Sequence, residues 1–417
     1  MRYVIIGNSA AGIGGGEGIR QIDKDGDITV ISSEGHHTYS RPLISYLLMG
    51  KATHEKMLYR NQDFYVKNNC KLLTNTLVTE IEQKKQEVVL SNGRRIIYDR
   101  LLVATGSSAF VPPFYGLETV TSKHTFMSLD DANNLAKAID KKKKVLIIGA
   151  GLIGLKCAEG ILDKVAEIKV IDMAPRILSS ILNDEGAEIV QKHLEEKGIK
   201  FFLSNGVERF EKNKAVLKDG STESFDILVL AVGVRPSTEL LEGIVEIKKG
   251  IVVDEKSKTT STNIYAAGDC TQTTDVVSAK EKIMALLPNA YMQGETAGIN
   301  MAGGEKTFDK AIAMNAIGFF GLHVISAGNY VGEVYKKNEP ESYKLLFYSN
   351  NHLNGYIMIG DVDKAGIYTS LIREHTPLDG LDFSLICDKP SLMAFSKEDR
   401  LLKLGGRIKN DNICNGF

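Results

Sequence analysis

Two stretches of the chain carry small residues at a spacing that suits a phosphate. One is Gly7-x-Ser9-x-x-Gly12 within "YVIIGNSAAGIGGG". The other is Gly149-x-Gly151-x-x-Gly154 within "KVLIIGAGLIG". In each, an apolar run reads as a strand, the glycines as a tight turn, and the residues after them as a helix. The first glycine permits the turn, the second position lets backbone approach a pyrophosphate, and the third lets the helix pack against the sheet. Unpaired N–H groups at the helix start then face the phosphates. The next strand ends on an acid in both copies, Glu34 and Asp172, where a carboxylate accepts bonds from a ribose hydroxyl. Ser9 stands where the first copy would have its middle glycine, and it is small enough to keep that approach open. One such loop alone is equally a plain glycine-bearing turn; two in the same strand context are not.

The elements around these loops are duplicated as well. "VVLSNGRRIIYDRLLVATG" and "AVLKDGSTESFDILVLAVG" align without gaps after their turns. Each has a hairpin signal, Asn92-Gly93 and Asp219-Gly220. Each continues through an aromatic–Asp pair, Tyr98-Asp99 and Phe225-Asp226, into an apolar strand. The strands close on Ala104-Thr105-Gly106 and Ala231-Val232-Gly233. Only after the second copy comes "TSTNIYAAGDC", a strand ending at Gly268-Asp269. A helical segment, "PNAYMQGETAGINMAGG", follows, and its Gly294, Ala297 and Gly298 suit close packing on a sheet or ligand.

Composition excludes several classes of partner. Lys and Arg number 51 against 52 Asp and Glu, so no net field favours nucleic acid or an anionic membrane. The run Lys141 to Lys144 reads as a solvated turn. Cys70, Cys157, Cys270, Cys387 and Cys414 share no CxxC or CxxxxC spacing, which disfavours zinc, a cysteine-ligated iron–sulfur cluster and a local redox disulfide. No metal is expected. The scattered, odd set of cysteines and the absence of a signal-peptide core indicate the cytoplasm. Ala311 to Gly332 holds no Asp, Glu, Lys or Arg and is long enough to span a bilayer. Its Asn315, Gly318, Gly321, Ser326, Gly328 and Asn329 instead read as short buried strands with glycine bends, so no membrane insertion is expected. His36 and His37 read as packing after Glu34, and His323 as a core histidine. The tail "KNDNICNGF" has no readable role.

The ordered set of the Gly7 loop, Glu34, "ATG" at 104–106, the Gly149 loop, "AVGVRP" at 231–236 and "AAGD" at 266–269 resembles the pyridine nucleotide–disulfide oxidoreductase superfamily. The resemblance is to its flavoproteins with two dinucleotide-binding domains and covers nearly the whole chain. It implies an α/β fold of two nested, three-layered Rossmann-like domains plus a C-terminal α+β interface-like domain. An FAD domain would occupy 1–110 and resume at 238–310, an NAD(P) domain 111–237, and the interface or dimerisation-like domain 311–417. By the same resemblance Gly7, Ser9, Ala10, Gly12 and Glu34 would hold the ADP half of FAD. Ala104, Thr105 and Gly106 would line its pyrophosphate, and Asp269, after Gly268, would bond the ribityl chain. The helix at Asn289–Ala290 would point its positive end at the flavin, whose reduced form carries charge near N1 and C2=O. Arg41 and Pro42 would lie near the isoalloxazine, with Arg41 a candidate to stabilise reduced flavin; otherwise it is a surface arginine before a Pro-started helix. Gly149, Gly151, Ile153, Gly154, Asp172 and Gly233 would hold NAD.

Two stretches narrow the resemblance. "HTYSRPLISYLLMGK", His37 to Lys51, is similar to the Arg-Pro-leucine segment of rubredoxin reductases and nitrite-reductase-type flavoprotein modules. Relatives that reduce disulfides or peroxides carry a redox cysteine just beyond a matching position. Arg41 to Ser45 contain none, and Cys70 is too far along. Without a thiolate there is no nucleophile for thiol exchange, so disulfide reductase, peroxidase and cysteine-dependent NADH oxidase are not expected. "LLPNAYMQGETAGINMAGG" with "MNAIGFFGLHVISAG" resembles flavoprotein subunits that pass electrons between NAD(H) and iron–sulfur proteins, such as the flavin subunit of phenylglyoxylate-dehydrogenase-type complexes.

Lys156 departs from the pattern. Many superfamily members carry a glutamate there, near the nicotinamide. The lysine reads as a snorkelling surface cation, as the partner of a carboxylate or flavin-proximal group, or as the mark of a lost NAD site. Retained binding is the favoured reading. Asp172 favours NADH over NADPH because it would repel a 2′-phosphate, and Arg176 could soften that rejection. The expected reaction is electron transfer from NADH through FAD to a rubredoxin-type or iron–sulfur protein. Its rivals are a non-catalytic or electron-relay FAD subunit and a cysteine-independent NADH oxidase. A homodimer and a complex subunit are both open.

Overall fold

The computed structural model describes residues 1–404; Cys414 and the tail "KNDNICNGF" lie outside them. The chain divides into two compact units. Met1–Asp275 with Ala279–Ala311 forms one, and Val276–Ser278 with the chain from Ile312 forms the other.

The first unit holds the duplicated plan. Strands Arg2–Ile6, Asp27–Ile31, Cys70–Leu73 and Arg100–Val103 make a parallel sheet, completed by Ile264–Ala266 beside Arg100–Val103. Strands Lys144–Ile148, Glu167–Ile171, Ile199–Phe202 and Ile227–Leu230 make another, completed by Lys123–His124 beside Ile227–Leu230. The fifth strand of the first sheet thus arrives after the second sheet is finished. The fifth strand of the second sheet arrives before that sheet begins. The second module is nested inside the first.

Each third strand leads into a three-stranded antiparallel meander, Val78–Glu82, Glu87–Leu90 and Arg95–Ile97 in one, Val207–Phe210, Lys214–Leu217 and Thr222–Ser224 in the other. Their turns are copies. The Gly93 N–H bonds Leu90 O at 2.8 Å, and the Gly220 N–H bonds Leu217 O at 3.0 Å. Both are three-residue loops with glycine in the left-handed position.

Alternation along the strands sets the layers. Val4 and Ile6 pack with Val78, Val88 and Leu90 of the meander, while Tyr3 and Ile5 pack with Ala10, Ile19, Ala290 and Ala297 of the helices. The sheet lies between helices and meander, as the three-layered expectation has it. The helices Ala10–Ile22 and Leu287–Met301 touch backbone to backbone. A Cβ on Gly294 would fall 2.0 Å from Ala11 O, and one on Gly298 2.1 Å from Gly15 O. These glycines serve a helix–helix contact, not the sheet or ligand contact expected of them.

The second unit is an antiparallel sheet ordered Met314–Phe319, Leu322–Gly328, His352–Gly360, Ser342–Ser349, Glu333–Glu339. Tyr368, Leu371 and Ile372 of the helix Ala365–Arg373 pack into its core. The charge-free run is a hairpin turned at Phe320 and Gly321. No helix among the described residues is long and apolar enough to cross a membrane. His323 is exposed on that hairpin, not a core histidine, because strand alternation buries its neighbour Val324 instead.

Candidate active site

Both glycine loops leave their strands in the same way. The Gly7 N–H bonds Ile31 O and the Gly149 N–H bonds Ile171 O, each at 2.8 Å. With φ of +120° and +112°, these positions favour glycine. A Cβ would also fall 2.0 Å from Ala104 O at Gly7 and 2.3 Å from Ala231 O at Gly149. At Gly12 and Gly154 a Cβ would fall 2.0 Å from the carbonyl oxygen of Gly7 and of Gly149. The third glycine therefore seats the helix on its own loop, a tighter contact than the helix–sheet packing the sequence suggests.

The middle positions face space. Ser9 is the N-cap of Ala10–Ile22 and its side chain makes no capping bond. Gly151 is the N-cap of Leu152–Ile161, and a Cβ there would meet nothing within 4 Å. The first-turn N–H groups at Ala10 and Ile153 are donors of the kind an anion satisfies. Both cradles fit a pyrophosphate.

The two acids are held differently. Glu34 accepts from the Tyr39 hydroxyl at 2.6 Å and from Arg41 Nη2 at 2.5 Å. Tyr39 in turn accepts the Leu129 N–H at 2.9 Å, and Arg41 Nη1 donates to Met127 O at 3.1 Å. His36 Nε2 lies 2.7 Å from Asp130 Oδ1. The start of the helix Leu129–Ala138 is thus tied to Glu34, the acid at the end of the first module's second strand. Asp172 instead holds its own loop: Oδ2 accepts the Ala150 N–H at 2.7 Å and Oδ1 accepts the Ala174 N–H at 2.8 Å. Arg176 donates to Leu182 O at 3.2 Å and pairs with Asp184 at 2.8 Å, turned to the next helix.

Arg41 is no isolated surface arginine. Pro42 opens a single 3-10 turn, Arg41–Leu43, ahead of the short helix Ile44–Leu48. Burial works against the guanidinium's charge, and Tyr39, Glu34 and Asp269 more than offset it. Burial pushes the Asp269 carboxyl up, against the Arg41 charge and the Ser107 hydroxyl, which lies 3.4 Å away. A half-buried carboxylate with so long a bond suits further donors, and ribityl hydroxyls are such donors.

The Gly268-Asp269 turn is braced by Gln293, whose Oε1 accepts the Gly268 N–H at 2.8 Å and the Thr271 hydroxyl at 3.0 Å. Sequence reasoning passed over Gln293. The available signal was an amide on the small-residue face of its helix, one turn after Asn289. Asn289 and Ala290 are buried in the first turn of that helix, whose N-cap, Leu286, offers no side-chain bond. Thr105 donates to Ser237 O at 2.7 Å, and the strands Ser107–Ala109 and Val234–Pro236 pair where the modules join. Cβ atoms on Gly106 and Gly233 would both meet nothing within 4 Å, so both glycines border open space.

Lys156 does not snorkel. Its side chain is 13% exposed and pairs with the buried carboxylate of Glu159 one turn on. Its Nζ also lies 4.4 Å from the ring centroid of Tyr46. The described cysteines are poor nucleophiles. Burial pushes Cys70, Cys270 and Cys387 up to about 11, and Cys157 up further.

The family model described as pyridine nucleotide-disulphide oxidoreductase matches residues 1–294, and the rubredoxin NAD+ reductase C-terminal domain matches 314–376. The NADH-dependent phenylglyoxylate dehydrogenase subunit epsilon of Aromatoleum evansii is 31% identical over 394 residues, 91% of this chain and 93% of its own. The NADH oxidase of Methanocaldococcus jannaschii is 35% identical over 321 residues, 74% of this chain and 71% of its own. The solved structure of an NAD-dependent persulfide reductase from A. fulgidus is 28% identical, with a TM-score of 0.83 over 91% of this chain and 78% of that one.

Proposed function

The chain belongs to the pyridine nucleotide-disulphide oxidoreductase family and is an FAD- and NADH-dependent oxidoreductase, and on that premise we propose that it passes electrons from NADH to a small iron–sulfur or rubredoxin-type protein. The observation that carries this reading is the segment Arg41 to Ser45. It offers no thiol, yet Arg41 bonds Glu34 of one nucleotide module and Met127 O of the other, and Ser45 O packs on Gly160, with both glycine cradles in place. The match to a rubredoxin NAD+ reductase C-terminal domain supports the acceptor class.

Residues 1–110 and 238–310 form the FAD domain in this reading, 111–237 the NADH domain, and 311–417 an interface domain. Gly7, Ser9, Ala10 and Gly12 cradle the FAD pyrophosphate, with Ala104, Thr105 and Gly106 alongside. Glu34 takes the ribose, Asp269 the ribityl chain, and the helix start at Asn289–Ala290 faces the pyrimidine. Gly149, Gly151, Ile153, Gly154, Asp172 and Gly233 serve NADH. Bound FAD supplies the conversion from hydride to single electrons. The chain's part is to bind, orient and set the field: Arg41, beside Pro42 and paired with Glu34, places a positive charge in the FAD cleft, and by resemblance it is the candidate to stabilise reduced flavin.

A second reading is an electron-relay FAD subunit of a larger complex, favoured by the relative named as a dehydrogenase subunit. Anaerobic titration of the purified flavoprotein with NADH separates the two. Stoichiometric bleaching of the flavin, then reoxidation by added rubredoxin or ferredoxin, supports the reductase. A flavin that dithionite reduces and NADH does not supports the subunit. Rapid oxygen uptake without an added acceptor supports an oxidase instead.

A further inference from the structure

The helix Leu152–Ile161 begins at the second glycine loop and runs against the short helix Ile44–Leu48, which follows Arg41 and Pro42. The two meet closely at Gly160. A Cβ there would fall 3.1 Å from Ser45 O and 3.3 Å from Leu48 Cβ. One turn earlier on the same face, Lys156 reaches across this seam and sets its ammonium 4.4 Å from the ring centroid of Tyr46. Its own helix supplies the counter-charge through Glu159, whose side chain is 4% exposed.

A buried ammonium is tolerated when it is paired, and this one is paired so that it points in one direction. Glu159 cancels its charge, so the pair adds little net field at a distance. The ammonium also makes a directional attraction to the face of an aromatic ring. It joins the helix that carries the NADH loop to the segment that carries Arg41. A difference of about 1 Å in such a joint changes the approach of two reacting groups enough to alter rate strongly.

We infer that Lys156 is a positioning residue: held by Glu159 and seated on Tyr46, it sets the distance at which the nicotinamide module meets the flavin module. This rests on the NADH-dependent reading above. Lys156 touches neither cofactor in this role and donates no proton.

The test is rapid-mixing reduction of the FAD-loaded protein by NADH under argon, together with the long-wavelength charge-transfer band between reduced flavin and NAD+. Lys156→Met is expected to slow the first-order reduction by about tenfold or more and to weaken the band. The NADH dissociation constant should stay within about threefold, and the flavin midpoint potential should not move. Lys156→Arg, which keeps a cation over the ring, is expected to recover part of both signals. Tyr46→Leu should reproduce Lys156→Met, and the double variant should lose no more than either single one. In the flavin-free protein, the amides of 152–161 should exchange faster in Lys156→Met than in the parent.

A Lys156→Met protein with the parent's rate and band overturns the inference, as does a loss confined to NADH affinity. Additive losses in the double variant also overturn it. Should Lys156→Met fail to fold, Tyr46→Leu and Lys156→Arg carry the same test. If the parent protein itself is not reduced by NADH, the functional reading fails first. If the parent is reduced and the variants match it, only the positioning role fails.

Discussion

Asp172 Oδ2 accepts the backbone N–H of Ala150 at 2.7 Å, so the acid that closes the second strand also holds the glycine loop before which the cofactor would lie. Its other oxygen accepts the Ala174 N–H at 2.8 Å. A carboxylate oxygen has lone pairs to spare for a ribose diol, so in the proposed reading structural and binding roles share one side chain. Asp172→Ala leaves two backbone donors unmet. It is expected to cost about 1–3 kcal/mol in chemical denaturation and to weaken NADH more than NADPH. An unchanged NADH to NADPH ratio in dissociation constants would remove the selectivity role.

The glycines of the two loops predict opposite outcomes. A Cβ at Gly7 meets Ala104 O at 2.0 Å with φ at +120°, whereas a Cβ at Gly151 meets nothing within 4 Å. Gly7→Ala should cost about 3 kcal/mol or more, from strain and collision together, and should be purified without flavin. Gly151→Ala should keep the parent's melting temperature and its FAD while binding NADH less tightly, because the methyl occupies the phosphate's space. Melting curves and flavin absorbance measure both.

Arg41 pairs with Glu34 and feels the charge of Asp269. In the proposed reading, Arg41→Ala takes a positive charge out of the FAD cleft, so reduced flavin loses stabilisation. The midpoint potential should fall by about 30 mV, the equivalent of about 1.4 kcal/mol for two electrons. Spectroelectrochemistry reads the change directly, and a potential that stays put rules out this role.

Asp269 carries a sign that distinguishes binding from stability. Burial raises its folded pKa above the unfolded value, with Arg41 and Ser107 opposing it. The folded state then binds the proton more tightly. Its favourable contribution is present below the ordinary aspartate range near about 4 and is lost as pH rises through the folded value. At pH 7 the carboxylate therefore costs the flavin-free protein stability. Asp269→Asn should melt higher than the parent at pH 7, and the gain should shrink as pH falls toward about 4. The same variant should bind FAD more weakly. Calorimetry of the flavin-free protein at the two pH values, and an FAD titration, check the two halves separately.

The disulphide in the family's name finds no counterpart in the described cysteines. Cys157 and Cys270 are fully buried, and Cys70 is held well above neutrality by its apolar surroundings. Distance in sequence was enough to set Cys70 aside. Its environment supplies the chemical reason, since a thiol held as a neutral acid is a poor nucleophile.

Much of the fold was written into local patterns. Period-two alternation, glycine turns and the repeated Asn-Gly and Asp-Gly hairpins depend on neighbours within a few residues, so the two modules, their meanders and the charge-free hairpin could be read before any coordinates. The same holds for Gly7, Gly149, Glu34 and Asp172, whose places at the strand ends and turns follow from strand–turn–helix context. Contacts between distant segments could not be read that way. Gln293 braces Gly268 across 25 positions, Arg41 reaches Met127 across 86, and Tyr39 caps a helix 90 positions on. Lys156 shows the division most clearly. The sequence determined that a cation stands after the last glycine of the second loop, and left three readings open. Only the tertiary structure removed the snorkelling one and supplied the carboxylate partner, because burial forces an ammonium to find partners, and the seam between two modules placed Tyr46 and Glu159 within its reach.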